Sequence, residues 1–380
     1  MTRRTGFRIL ALATDAFGGH GGIAQYNRDF LSALSACEGV EQVFVLPRAG
    51  ESARDMPSGV RQLPPVRSRI AYSFAALRAA RKHGPFDLVF CGHLFMAPLA
   101  AIVARLVRAR LWVQVHGVEA WQELPGLQRR SLAMATLVTA VSRHTRRRLL
   151  GWAGIDPARV KVLPNTVDPR YQPGPKPADL LARHAAAGKK ILMTVSRLAS
   201  SERYKGQDRV IRILPQLRSE HPDILYLIVG DGDDRPRLEA LALECGVVEQ
   251  VVFAGRVSQD ELPDYFRLAD VFVMPSTGEG FGIVFLEAMA SGANVIAGNQ
   301  DGSRDALGDG ALGTLVAPDD LDDLASAIRS ALDKPTQNGD NSSRFRPRVF
   351  AEQANMLLQA FFFTSAGGRH VARSTESSSR

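Results

Sequence analysis

The chain has 380 residues, enough for two domains of ordinary size, and its 45% hydrophobic and 23% charged content is that of a globular protein. No run of about 18 apolar residues occurs, so no membrane-spanning helix is expected. The net charge of +8 is uneven: residues 1–170 hold 24 Lys+Arg and 11 Asp+Glu, residues 171–380 hold 23 and 28, and a basic half beside an acidic one predicts an anionic partner for the first.

The N-terminus, MTRRTGFRILALAT, opens with basic residues and an apolar run that breaks at Asp15 without a cleavage-like site. It reads as a first buried strand over 7–14, not as a signal peptide. The loop DAFGGHGG follows, then a helix from about Ile23 to Leu34 and a strand over 42–47. Residues 50–68 read as irregular and proline-bearing, Ile70–Lys82 as helix, 86–93 as strand, 97–109 as helix and 111–117 as strand. Strands over 137–142 and 160–165 complete the series, with the basic helix SRHTRRRLLGWA between them. Strands alternating with helices predict a doubly wound parallel sheet. Cys37, Cys91 and Cys245 lie far apart with no paired spacing. That sets aside a disulfide framework or a zinc site and fits a reducing cytoplasm.

The basic helix combines Arg143, Arg146, Arg147 and Arg148 with Leu149, Leu150 and Trp152. That is the make-up of an interfacial amphipathic helix, although a solvated arginine-rich face is the plainer alternative. Nucleic acid is not the expected partner, because no recognisable binding module is present. An anionic membrane surface is, at about 1 kcal/mol per surface Lys or Arg. The expected location is cytoplasmic, peripheral on the cytoplasmic face of the membrane.

Residues 168–178 (DPRYQPGPKPA) carry four prolines and read as a linker. The strand pattern then restarts over 190–196, 224–230, 251–255, 271–275, 294–298 and 312–318, with a helix over 319–332. The expected organisation is a first domain over 1–168, a hinge over 169–178 and a second domain over 179–347. A last helix, about 348–363, and a disordered tail over 364–380 follow.

Chemistry concentrates in Pro275–Gly292, PSTGEGFGIVFLEAMASG, a strand end, a glycine-rich turn and a helix start. Free backbone N–H groups and the positive end of the helix dipole favour a phosphate there. Glu279 and Glu287 flank it, and a carboxylate accepts two hydrogen bonds at once, which suits vicinal hydroxyls. Together these describe a nucleotide-sugar site, although such turns are common in α/β proteins. Arg197 and Lys205, in SRLASSERYKGQD, follow a strand end and could neutralise a diphosphate, unless they pair with nearby Glu202. His116 and His93 each end a strand; a lone histidine is usually structural. Residues 19–24 formally satisfy a dinucleotide fingerprint, but the loop is too long and no acidic residue ends the second strand, so a nicotinamide enzyme is a poor second.

E-x7-E leading into GFGIVFLEAMASG, with S-R-L-x(n)-K-G, VGDG at 229–232, FAGRVS at 253–258 and PNTVD at 164–168, resembles the GT4 family. The likeness covers most of the chain and is strongest between 194 and 292. It implies a retaining glycosyltransferase of the GT-B fold, two Rossmann-like domains facing a central cleft. The first domain would bind the acceptor, with the last helix packed back on it, and the second the nucleotide-sugar. By the same resemblance Glu287 holds the ribose diol and Glu279 the donor sugar's hydroxyls. Arg197, Lys205 and the turn Gly280, Phe281, Gly282 and Ile283 hold the diphosphate, with Gly230 and Val257 near the base. Gly21 and Gly22 would let their loop approach the donor, His116 would lie beside the reacting sugar, and His93 would contact acceptor or be structural. Thr166 stands where the family has glycine, which puts the hinge backbone in question, while SSERY between the two cations is expected to leave them intact. No metal-holding aspartate pair is seen, so no metal and no cofactor beyond the nucleotide-sugar is expected. The expected acceptor is a lipid-linked or cell-surface glycan precursor. A sugar-nucleotide epimerase, a soluble small-molecule glycosyltransferase and a binding-only relative remain as alternatives.

Overall fold

The computed structural model describes residues 6–19, 21–51, 56–334 and 342–363. His20 of the glycine-rich loop, residues 335–341 of the polar break and the tail from 364 lie outside the described residues. The chain divides into two compact units. One runs to Val141 and adds Thr145–Leu163 and the last helix; the other comprises Ser142–His144 and Pro164–Arg346.

The first unit contains strands β1 (Phe7–Ala13), β2 (Val40–Pro47), β3 (Val60–Gln62), β4 (Leu88–Cys91), β5 (Arg110–Val115), β6 (Leu137–Ala140) and β7 (Val160–Val162). They pair in parallel in the order β3-β2-β1-β4-β5-β6-β7. Its helices are α1 (Gly22–Ser35), α2 (Arg69–His83), α3 (Ala97–Val107), α4 (Gly126–Met134) and α5 (Arg143–Ala153), whose first two residues cluster with the second unit. Alternation along each strand divides the core. Leu10, Leu12, Val89, Val113 and Val115 pack under α2 to α5. The opposite face carries aromatic rings, with Phe30 of α1 against Phe90 and Trp112, and Trp112 against Phe361.

The second unit contains α6 (Ala178–Arg183), β8 (Lys190–Val195), α7 (Gln207–Glu220), β9 (Ile224–Val229), α8 (Arg235–Glu244), β10 (Val251–Gly255), α9 (Leu262–Leu268) and β11 (Val271–Met274). Then come α10 (Ile283–Ala290), β12 (Asn294–Gly298), α11 (Ser303–Ala306), β13 (Thr314–Val316) and α12 (Leu321–Leu332). The last helix, α13 (Pro347–Phe363), belongs to the first unit and sets Phe350 edge-on to Tyr26 of α1. The second sheet is also parallel, in the order β10-β9-β8-β11-β12-β13.

The irregular reading of 50–68 misses β3, a three-residue edge strand that pairs Val60 with Val43. Helices α4 and α6 are also absent from the sequence reading. Both are short, and α4 buries only Ser131 and Leu132, so neither shows a strong helical period. Thr166 is accommodated without a left-handed backbone: it is buried, and its hydroxyl donates to the Phe345 carbonyl at 2.6 Å.

Candidate active site

In the second unit the chain leaves β8 toward β9 and β10 on one side, and later lays β11, β12 and β13 on the other. Ligands of open parallel sheets bind outside the carboxyl ends at such a switch point. Among the loops that leave these ends are residues 196–206 after β8, 230–234 after β9 and 275–282 after β11. The first and third bring Arg197, Lys205 and Glu279 together. Lys205 Nζ lies 3.9 Å from Glu279 Oε1 and 2.9 Å from Glu202 Oε2, and Arg197 NH2 pairs with Glu202 Oε1. Glu202 thus engages both cations, the pairing that the sequence left open as the alternative to a diphosphate.

Glu279 is held from its backbone side. Its N–H donates to Asp301 Oδ2 at 2.7 Å, and Asp301 also accepts from Ser276 Oγ at 2.5 Å and from the Ser303 N–H at 2.9 Å. Burial pushes the Glu279 carboxyl above its ordinary range; Lys205 opposes that shift, and the carboxylates Asp301 and Glu202 add to it. Asp301 is 1% exposed and carries no motif, so nothing in the sequence marks it as the post behind Glu279.

The turn after Glu279 reaches Gly282, which precedes α10 with φ of +83°; a Cβ there would meet the Phe285 ring at 2.4 Å. Glycine is thus required for the chain to enter α10 at this angle. Phe281 is buried, edge-on to Phe345 at 5.7 Å, which leaves the turn's backbone rather than its side chain for a ligand. Ile283 opens α10 and Glu287 lies one turn further on. The buried Tyr171 phenol lies within hydrogen-bonding reach of the Glu287 carboxylate, and burial first, then that charge, raises the phenol. Tyr171 sits inside the proline-rich segment, where the sequence shows only a linker. Gly230 leads the loop after β9, its N–H donating to the Gly255 carbonyl at 2.8 Å, and Val257 follows β10 half-buried.

The first unit has its own switch point, between β1 and β4. The loop after β1 ends in Gly21 and Gly22, the latter opening α1, and Arg28 of α1 ties the loop by donating to the Gly19 carbonyl at 2.7 Å. After β4, His93 Nδ1 accepts from the Phe95 N–H at 3.3 Å. After β5, His116 lies with its ring 6.1 Å from that of His93 and edge-on to Tyr26 at 5.1 Å. His116 Nε2 lies 2.9 Å from the Gly92 carbonyl, an acceptor only, so the proton sits on Nε2 and Nδ1 is an acceptor. Burial lowers the imidazole to about 4, with Glu119 opposing, so His116 is neutral near pH 7 and offers a lone pair rather than a proton. Glu119, which also accepts from the His116 backbone N–H, is a second residue the sequence reading passed over.

The basic helix α5 does not present the expected face. Leu149 is buried, Trp152 donates its indole N–H to the Ala120 carbonyl at 2.8 Å, and Arg146 donates to the carbonyls of Val160 and Pro157 at 2.8 and 2.9 Å. Arg143 pairs with Asp305 at 2.6 Å and Asp309 at 2.8 Å. Arg147 and Arg148 remain exposed. The apolar half of an interfacial helix is turned inward, so α5 fails as the anchor. Among the described residues, no helix is long and apolar enough to cross a membrane, and no cluster of three His, Cys, Asp or Glu is placed to hold a metal.

Residues 180–348 match the family model described as glycosyl transferases group 1, and residues 20–171 match glycosyltransferase family 4. A GDP-mannose-dependent alpha-(1-6)-phosphatidylinositol monomannoside mannosyltransferase of Mycolicibacterium smegmatis is 36% identical over 68% of this chain and 71% of its own. Its counterpart in Mycobacterium tuberculosis is 33% identical over 86% of this chain and 89% of its own. Among solved structures, Anabaena HepE in complex with UDP-glucose superposes with a TM-score of 0.76 at 22% identity, covering 93% of this chain and 99% of that one. That likeness concerns the fold, GT-B, with a doubly wound parallel sheet in each unit. On these matches the chain belongs to the group 1 glycosyl transferases, family GT4, and is a glycosyltransferase.

Proposed function

We propose that the protein moves a hexose from a nucleotide-sugar to a lipid-linked glycan acceptor, with retention at the anomeric carbon and without a divalent metal. The observation that carries this reading is the convergence of Arg197, Lys205 and Glu279 at one switch point, beside the start of α10. In this reading Arg197, Lys205 and the backbone at Gly280, Phe281 and Gly282 hold the diphosphate, supplying the positive charge that a metal would otherwise bring. Glu279 accepts from hydroxyls of the donor sugar, and Glu287, steadied by Tyr171, accepts from the ribose diol. Gly230 and Val257 border the base, and Gly21 and Gly22 approach the donor. His116 accepts a sugar hydroxyl at Nδ1, with His93 toward the acceptor. The bond from the anomeric carbon to the phosphate oxygen breaks, and the acceptor oxygen bonds on the same face. The departing phosphate takes the acceptor's proton. The names of the curated relatives make GDP-mannose the first donor to test and a phosphoinositol glycolipid the first acceptor.

The test is thermal shift against GDP, UDP, ADP and their sugars, with and without EDTA. One nucleotide series should stabilise the protein by about 2.7 kcal/mol at ~100 times its Kd, unchanged by EDTA. A shift abolished by EDTA would overturn the metal-free site, and donor turnover without acceptor would favour an epimerase.

A membrane-bound acceptor also needs a docking face. Six of the exposed large apolar residues of the first unit lie on adjacent helices over one face of its sheet: Ile70 and Phe74 on α2, Ile102 and Leu106 on α3, Leu127 and Met134 on α4. Ile70/Phe74 and Ile102/Leu106 are each four apart, so each pair forms an outward stripe. Exposed Arg69, Arg78, Arg81, Lys82, Arg105 and Arg129 lie among them. This mixture suits the interface of an anionic bilayer, and it replaces α5 as the proposed peripheral membrane face on the cytoplasmic side. The protein should float with vesicles containing anionic lipid, and Phe74→Glu with Ile102→Glu should abolish flotation. Binding that persists in the double variant counts against this face; no binding of the wild type favours a soluble acceptor.

A further inference from the structure

Glu202 has no place in the reaction as described, yet it lies at its centre. Its side chain is 12% exposed, as is fitting for a group enclosed by its partners, and Lys205 is 13% exposed. Arg197, by contrast, is 79% exposed and extends from the loop to reach Glu202. Two carboxylates reach the cations, Glu202 and Glu279, and a third, Asp301, stands behind Glu279. Asp301 is committed to Ser276, Ser303 and the Glu279 N–H, and Glu279 to the far side of Lys205. Among the described residues, only Glu202 pairs with both cations.

We propose that Glu202 is a positioning residue that competes with the donor's diphosphate for Arg197 and Lys205, and so sets how tightly the nucleotide is held and how fast it leaves. Arg197, long and exposed, is the cation that changes partner; enclosed Lys205 stays between the carboxylates and the phosphates. A competing carboxylate raises the threshold for anion binding: a diphosphate draws Arg197 away where a single phosphate does not. After transfer, the same carboxylate recovers Arg197 and assists departure of the nucleoside diphosphate. This rests on the reading of Arg197 and Lys205 as diphosphate ligands.

The experiment is calorimetric titration of GDP, UDP and inorganic phosphate into wild type, Glu202→Gln and Arg197→Ala, with steady-state kinetics on the same proteins. Glu202→Gln is nearly isosteric and removes only the charge. Its Kd for the bound nucleoside diphosphate should fall about tenfold, inorganic phosphate should become a detectable ligand, and donor KM and kcat should fall together as release becomes limiting. Glu202→Asp, which keeps the charge, should stay near wild-type affinity. Nucleotide binding that is unchanged or weaker in folded Glu202→Gln overturns the proposal, because a carboxylate that merely orients the cations would give that result. Wild-type nucleotide affinity in Arg197→Ala would instead overturn the underlying assignment of the diphosphate site.

Discussion

Arg197→Ala is expected to lower kcat/KM for the nucleotide-sugar by about 10²–10³, an effect of the size seen when one preorganised charge is removed from a transition state. The leaving group of this reaction is a nucleoside diphosphate, so negative charge grows on the phosphate oxygen as the bond to the sugar breaks. A guanidinium that reaches the phosphates stabilises that charge more than it stabilises the bound donor, so the loss should appear in kcat as well as in KM. Arg197→Lys should recover only part of it, because an ammonium lacks the planar pair of parallel N–H donors with which a guanidinium matches two phosphate oxygens. The neighbouring Arg203 gives the contrast. It is held by buried Asp234 at 2.7 Å and ties the loop after β8 to the one after β9, so Arg203→Ala should act on stability more than on kcat. Donor kinetics of Arg197→Ala within threefold of wild type would remove Arg197 from the site.

The sequence carries the strands and the cations well, and their partners poorly. The strands that open the two sheets, Phe7–Ala13 and Lys190–Val195, are largely apolar runs, and a buried parallel sheet leaves that mark in a sequence. Arg197, Lys205 and Glu279 are legible because each follows a strand end or a glycine turn. Glu202, in the same stretch, is legible as a candidate partner, but that it reaches both cations depends on how residues 200–205 coil, and a non-helical backbone at Glu202 interrupts that turn. Asp301 and Tyr171 are further still from detection. Each meets its glutamate across tens of residues, through contacts that no periodicity encodes. The basic helix α5 shows the opposite failure. Its composition is that of a membrane helix, but composition does not say which way Leu149 and Trp152 point. The outward apolar stripes on α2 and α3 are equally silent in sequence: α3 is apolar nearly throughout, and only packing against the sheet decides which of its residues remain outside.

Gly230→Ala should lower the midpoint of thermal unfolding by roughly 10 °C, the counterpart of about 3 kcal/mol or more in a unit of this size. Gly230 has φ of +129°, a region that side chains rarely enter, and a Cβ built there would lie 1.8 Å from the Ser196 carbonyl oxygen. The oxygen is backbone and the position of a Cβ is fixed by the backbone, so no side-chain rotation relieves the overlap, and the loops after β8 and β9 must part. Parting them pulls on the Gly230 N–H bond to Gly255 and shifts Ser196, the residue before Arg197, so donor affinity should fall with stability. The right comparison is Gly188→Ala, where φ is also positive, at +73°, but nothing lies within 4 Å of the added carbon. That substitution isolates the backbone cost, about 1–2 kcal/mol, from the steric one. Unequal midpoints, with Gly230→Ala the lower by at least 5 °C and alone impaired in nucleotide binding, are the expected outcome. Equal midpoints would mean that the two loops separate at little cost, and that their close approach does not hold Arg197 in place.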